Sequence, residues 1–461
     1  MASVENLGSG LNNVPSARAG DHVAVIGGGY SGMAAAVRVA ELGSRVTVFE
    51  AAPVLGGRAR RIDYQGHTLD NGQHILSGAY RELLRLMDLV DVPSRAYQRV
   101  PLSLSMPPHF SLRAPLLPAP LHMAFALLMA NGLSWSDRIC AVRFMAKMKR
   151  AAFACATNLT VARLLQDHHQ SATLIKFLWQ PLTISALNTP LTTASAQVFL
   201  NVLRDALAGE REASDLLLPT LDLSALFPEP AANWLAARGF KTHTGSRVTN
   251  LQADDIEIRF TANNQAWSFD AAIIAVGPHQ RSAVLPDLEL DLNAPAMQYE
   301  PIVTIYLCFT TTLSLPMPML GQAEGCVQWF FDRRALSNHL GDSELIIAGV
   351  ISASGEHQTM SHADLVAVTL NELRVHVPTL PDPDWHKVVT EKFATFACTP
   401  EALRRPTQTR FSNVFLAGDD IQNPERLYPA TLEGAARNGV AAAEQAVAAI
   451  ARRVSQPNRF P

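Results

Sequence analysis

Apolar and polar positions follow two rhythms along this chain. From Asp21 to Glu50 the order is DHVAVIG, then GGYSGMAAAVRVAELG, then SRVTVFE. A solid apolar run, a glycine turn, a helix-spaced apolar stripe and a second apolar run predict strand, turn, helix, strand, in the roughly 30 residues of a βαβ crossover. Residues 101–240 change character: Leu, Ala and Met recur at helical spacing, broken by proline clusters at 107–108, 115–120 and 228–230, which predicts a helical lid or cap. β-branched runs then return in SRVTNLQ (246–252), IEIRFTA (256–262) and FDAAIIAVG (269–277). PIVTIYLCF (301–309), CVQWFFD (326–332) and ELIIAGVIS (344–352) extend the strand pattern, and an amphipathic helix is expected over 361–377. The last segment is again strand, turn and helix, NVFLAGDD followed by TLEGAARNGVAAAEQAVAAIARR. No internal repeat is visible, so the chain is expected to thread through two domains more than once. The fold class is α/β with a Rossmann-type unit.

Length supports this division, because 461 residues exceed what one core ordinarily sustains. A net charge of -3 with 17% charged residues gives no basic surface for phosphate neutralisation, which excludes a nucleic-acid partner. Five dispersed cysteines (Cys140, Cys155, Cys308, Cys326, Cys398) lack CxxC spacing, so reduced thiols are expected and no metal site. The first twenty residues lack signal-peptide order and are expected to form a disordered lead-in. The longest apolar run, LLPAPLHMAFALLMA (116–130), is shorter than the ~20 residues needed to cross a bilayer. It can lie on a membrane or line a pocket for an apolar molecule.

Gly27, Gly29 and Gly32 form GxGxxG between strand and helix. The first permits the tight turn, the second lets a pyrophosphate reach the backbone, and the third lets helix and strand pack closely. Glu50 closes the second strand 18 residues after Gly32, where its carboxylate can accept from both ribose hydroxyls and would repel a 2′-phosphate. Gly56, Gly57 and Arg58 follow as a second glycine loop with a cation, placed to contact a bound dinucleotide; an ordinary surface turn is the other reading. Gly418 and Asp419 end the last strand, where a carboxylate can meet polyol hydroxyls. From Thr431 and Leu432 onward the final helix offers N–H groups and a positive dipole end, unless it only closes the core. LDNGQHIL (69–76) gathers an acid, two amides and His74 around Gly72. One histidine and one acid do not complete a metal shell, so the stretch reads as a strand and turn in which Gly72 allows close approach and Asp70, Asn71 and Gln73 satisfy the turn backbone.

Together VAVIGGGYSG, VTVFE, GGRARR, SRVTNL, FDAAIIAVGP and VFLAGDDIQNPERLYPATLEGAARNG resemble the FAD-dependent amine oxidase and phytoene desaturase superfamily. The resemblance implies a glutathione reductase-like FAD-binding domain over 21–100, 240–285 and 405–455. An α+β substrate domain with the helical cap would cover 101–239 and 286–404. Gly27 to Gly32 and Glu50 would hold the ADP half, and Arg58 would lie near pyrophosphate and flavin. Val248 would pair its backbone with adenine, Asp419 would meet the ribityl chain or pyrophosphate, and Thr431 to Glu433 would flank the flavin ring. Two positions depart from the pattern: Thr304 stands where amine oxidases carry a lysine near flavin N5, and Arg61 where Ser or Thr is frequent.

LDNGQHILSGAYRELLRLMDLV, WQPLTISALNTPLTTASAQVFLNVL and LLLPTLDLSALF look like the squalene-associated flavoproteins of bacterial hopanoid pathways, the hydroxysqualene dehydroxylases. This implies reduction of hydroxysqualene to squalene by reduced FAD and an external electron donor of unspecified kind. A phytoene-type desaturase and a non-redox prenyl-binding escort protein are the alternatives. His74 is the candidate proton donor, with bracing of the flavin loop as its other reading. The stretch Leu102 to Met148, with Trp135 and flanking basic residues, suggests peripheral attachment to the cytoplasmic side of the bacterial inner membrane, although an internal cap helix would show much of the same pattern.

Overall fold

Strands His22–Ile26, Arg45–Phe49 and Ala271–Ile274 are apolar on both faces because both faces are covered, as in a parallel sheet between layers. The computed structural model describes residues 21–254, 256–285, 297–336, 343–402, 404–423 and 426–455. The lead-in expected over 1–20 lies outside the described residues. These strands join a five-stranded parallel sheet in the order Lys241–His243, Arg45–Phe49, His22–Ile26, Ala271–Ile274, Val414–Leu416. Helices Tyr30–Glu41 and Leu432–Ser455 pack together on one face through alanine-rich stripes, sharing a buried cluster with Pro228–Ala236. The antiparallel sheet Val248–Ala253, Ile258–Ala262, Gln265–Phe269 covers the other face, with Phe49, Phe260 and Phe269 in the seam.

A second five-stranded sheet is antiparallel, in the order Met319–Gly321, Trp329–Asp332, Glu344–Ser352, Tyr299–Thr310, Trp385–Phe396. Helix His362–His376 packs on one face of it. The other face meets a helical layer formed by Leu121–Met129, Trp135–Arg150, Val161–Asp167, a run from Ala172 to Leu187, and Ala196–Val202. π-turns occur at Ile175–Trp179, within the run from Ala172, and at Leu203–Leu207, which continues Ala196–Val202. Asn188 ends one helix in the left-handed conformation, φ 47°, and bolts it to the sheet by donating to Glu300 O, Pro301 O and Thr395 Oγ1.

The region 101–240 is less uniformly helical than its pattern predicts. Strands Ser103–Met106 and Phe110–Arg113 form a hairpin, and Leu216–Pro219 pairs with both Tyr97–Val100 and Leu76–Ser77. Short apolar runs such as LLLP fit either structure by periodicity, and here cross-strand partners decide. Among the described residues, no helix is long and apolar enough to cross a membrane; the apolar run at 116–130 yields only the nine-residue helix Leu121–Met129.

Candidate cofactor and substrate site

The strand His22–Ile26 ends at the glycine turn, and the helix behind it starts at Gly29 with no side-chain cap and no acid in its first turn. Its first N–H groups therefore face an open end that suits an anion. A Cβ on Gly32 would sit 1.9 Å from Gly27 O, so only glycine lets the helix lie this close to the turn. Gly29 is different. A Cβ there would meet no protein atom nearer than 3.7 Å, yet the residue borders a large cavity, so the space left by the missing side chain is available to a ligand. Ser31, in the same first turn, is 6% exposed, borders the cavity, and its Oγ has no hydrogen-bond partner. A buried hydroxyl without a partner is costly unless a ligand completes it.

Glu50 stands where Arg45–Phe49 ends and accepts from Gly28 N at 2.6 Å and Ala52 N at 2.7 Å. These bonds fix the carboxylate, leaving further lone pairs toward the cavity. The second glycine loop closes on the first, Gly56 N donating to Gly28 O at 2.9 Å. Arg58 is not a free cation. Its guanidinium donates to Asp419 Oδ1 at 2.5 Å and to the carbonyls of Phe393 and Ala394. The pair neutralises itself, so the charge of a pyrophosphate would be met chiefly by the helix N–H groups. Asp420, next to Asp419, makes a fully buried bidentate pair with Arg281 at 2.6 and 2.8 Å, which locks the turn.

Thr431 caps the last helix, its Oγ1 accepting from Gly434 N at 3.1 Å. Glu433, in the first turn of the same helix and also at the cavity wall, has its carboxylate taken up by a second helix. Its carboxylate accepts from Arg81 N, Glu82 N and Leu83 N, the first N–H groups of helix Arg81–Leu89, and from Arg437 Nε. The positive end of the Leu432–Ser455 helix is thereby left facing Ala430, Thr431 and Leu432 at the cavity wall. Val248 lies on an edge strand whose start, 246–249, also borders the cavity.

The stretch 69–76 follows strand His67–Asp70. A Cβ on Gly72 would find nothing nearer than 3.8 Å, again room at the cavity edge. Of the three polar residues around it, Gln73 serves the turn's own backbone as expected, donating to His74 O at 3.4 Å, and all three also tie the stretch to distant elements. Asp70 accepts from Leu223 N and Arg333, Asn71 donates to Arg58 O and Glu391, and Gln73 accepts from Arg333. The reason is that Arg333 and the 222–226 turn arrive here with unpaired donors. His74 donates from Nδ1 to Gly72 O at 2.8 Å and borders the cavity, and burial pushes its imidazole below the usual range. Thr304 lies on the facing strand with its hydroxyl buried and unpartnered, 3.8 Å from the Gly72 Cβ position. Arg61 points away, to Glu229 at 2.5 Å.

Every residue expected to hold the cofactor except Gly28 and Gly32 borders this one cavity of about 1450 Å³. That exceeds the roughly 300–1,000 Å³ of an ordinary small-molecule site. Its lining also includes the apolar side chains Leu102, Leu182, Phe199, Leu207 and Phe331, with Arg204, Asp205 and Arg426 among the polar ones. The residues therefore fit a flavin dinucleotide at one end, with room for a large apolar molecule at the other. Ser31 was not singled out in the sequence; its place inside GGGYSG is the signal that could have done so. Among the described residues no cluster suits a metal ion.

The model of the flavin containing amine oxidoreductase family matches residues 30–447. The hydroxysqualene dehydroxylase of Zymomonas mobilis is 26% identical over 92% of this chain and 98% of its own length. That of Rhodopseudomonas palustris is 29% identical over 93% and 98%. An oxidoreductase of Methanosarcina mazei shares the fold, with a TM-score of 0.71 at 16% identity over 91% of this chain and 99% of that one.

Proposed function

From the premise that the chain belongs to the flavin-containing amine oxidoreductase family and is an FAD-dependent oxidoreductase, we propose that it reduces hydroxysqualene to squalene. The observation that carries this reading is that its likeness to the two dehydroxylases spans nearly the whole of each chain, so it includes the helical layer whose side chains make the apolar cavity walls. Residues 21–100, 240–285 and 405–455 form the cofactor domain in this reading. The remainder, with its cap, receives the substrate on the cytoplasmic face of the bacterial inner membrane.

Ser31, Glu50 and the N–H groups of helices Tyr30–Glu41 and Leu432–Ser455 would hold FAD. When bound in its reduced form, FAD supplies a hydride, and an external electron donor restores it. The cavity side chains handle the rest. The allylic C–O bond breaks as a proton reaches the hydroxyl oxygen, water leaves, and the new C–H bond replaces C–O. Hydroxide is a poor leaving group, so proton delivery from a cavity residue matters, and His74 is assigned to it. Apolar walls keep bulk water from the electron-deficient carbon.

Anaerobically reduced, flavin-loaded protein incubated with hydroxysqualene is expected to yield squalene by mass spectrometry. Absence of squalene would overturn the reading, and newly desaturated products from an isoprenoid incubated with the oxidised enzyme would favour the phytoene-type alternative.

A further inference from the structure

Among the described residues, Leu116, Leu121, Phe125, Met129, Trp135 and Ile139 make up six of the ten large apolar side chains left exposed. They fall within 24 consecutive positions. Leu121, Phe125 and Met129 recur every fourth residue on one face of their helix, and Trp135 and Ile139 do so at the start of the next. The two helices are held as one piece: Arg138 donates to Leu128 O and Ala130 O, both at 2.8 Å, and its guanidinium lies 4.7 Å over the Trp135 ring. Asp137 completes a capping box with Ser134 and accepts from Ser171. A contiguous apolar ridge of this kind marks an interaction surface rather than scattered exposure.

Charge identifies the partner. Between Tyr97 and Ala162 there are seven Lys and Arg residues and one acid, Asp137, in a chain whose net charge is -3. Arg113, Arg143, Lys147, Lys149 and Arg150 are exposed beside the ridge. Apolar side chains flanked by a basic rim match a bilayer with anionic headgroups.

The ridge also adjoins the apolar end of the cavity. Ala114 N donates to Leu102 O at 2.8 Å, and Leu102 borders the cavity. Val100 pairs with Leu216, another wall residue, and His122, buried at the start of the ridge helix, lies within electrostatic reach of Arg211, Glu212 and Asp215. Residues 114–122 thus run alongside 207–216, and one apolar cluster connects Leu102 and Leu207 with Ala126, Leu127 and Phe144 under the ridge.

We propose that the Leu116–Ile139 ridge docks on an anionic phospholipid surface and that an isoprenoid substrate passes from the bilayer into the cavity along the seam between 114–122 and 207–216. The docking stands on the exposed side chains alone; the passage rests on the substrate reading above. Flotation of the full chain with vesicles separates the two. Binding to vesicles containing phosphatidylglycerol is expected, with weaker binding to phosphatidylcholine alone, and Arg143→Gln or Lys149→Gln should each lower the partition coefficient about fivefold. A Phe125→Asp, Met129→Asp double variant should lose binding. Tryptophan emission should shift to the blue on adding vesicles in the wild type and much less in Trp135→Phe. With hydroxysqualene in detergent micelles the double variant should match the wild type, and with substrate in vesicles it should fall behind. Docking is overturned if the wild type does not float, if it floats equally on both vesicle types, or if light scattering shows a dimer that the double variant dissolves, which would make the ridge an interface between copies. Equal activity of the double variant on vesicle-borne substrate would overturn the seam route. Failure of the wild type to convert substrate in micelles would count against the substrate reading and leave the flotation result standing.

Discussion

Ser31 and His74 show what single side chains add to the cavity. The Ser31 hydroxyl is buried in the first helical turn without a partner, so replacing it with Ala should cost the free protein nothing and would remove the bond to charged phosphate that the proposed FAD pose gives it. Ser31→Ala is expected to weaken FAD about tenfold, read by flavin fluorescence titration, with the thermal midpoint of the apoprotein unchanged or raised. An unchanged FAD affinity would leave the hydroxyl unexplained. For His74 the sign follows from its environment. Burial holds the imidazole below its ordinary 6.5, and Nδ1 is committed to Gly72 O, so the ring facing the cavity is neutral near pH 7. An acid that must first be protonated gains population as pH falls. The maximal rate should therefore rise as pH drops below 6.5 and level off beneath the folded-state pKa. His74→Ala should lower it about a hundredfold or more and flatten the profile. A variant that binds FAD and keeps the same profile would make His74 a brace for the loop. Gly27, Gly29, Glu50 and Arg58 were legible because their meaning lies in short contiguous spacings. The engagement of Arg58 by Asp419, 361 positions away, has no local trace.

Glu433 marks the same limit for elements. Helix Arg81–Leu89 begins at Tyr80 without a side-chain cap of its own, and its first N–H groups are capped by a carboxylate some 350 residues further along. Glu433→Ala would leave three N–H groups and Arg437 without this acceptor. A loss of about 3 kcal/mol in denaturant unfolding is expected, with Glu433→Gln intermediate. A loss under 1 kcal/mol would mean that water replaces the cap. Strands built on largely apolar runs, such as Tyr299–Thr310 and Glu344–Ser352, could be read directly. Trp385–Phe396 could not: this twelve-residue edge strand carries Lys387, Glu391 and Lys392 along WHKVVTEKFATF, and edge positions favour such charges because they discourage pairing with other chains. Lys241–His243 is too short to show a period. The π-turn at Leu203–Leu207, which borders the cavity, depends on a hydrogen-bond shift that side-chain spacing does not record.

For the whole molecule, the return of the chain to strand-rich segments after the 101–240 region was legible in the switch from βαβ spacing to helical spacing and back. The cavity was not, because its walls come from both sheets, the helical layer and loops separated by hundreds of residues. The helix Leu121–Met129 illustrates the difference. Its apolar composition was plain, but only the packing shows that His122, Ala126 and Leu127 turn inward while Leu121, Phe125 and Met129 stay outside.

The place of Val414–Leu416 in the parallel sheet carries a consequence for biosynthesis. This edge strand pairs with Ala271–Ile274, and the Asp419 turn and the Leu432–Ser455 helix follow it. A ribosome delivers all three after the entire Tyr299–Phe396 sheet has emerged. Until then Arg58 lacks its carboxylate and helix Tyr30–Glu41 lacks its main packing partner. The nucleotide cradle thus stays half built until Leu432–Ser455 has emerged, and flavin loading is expected to wait for that helix.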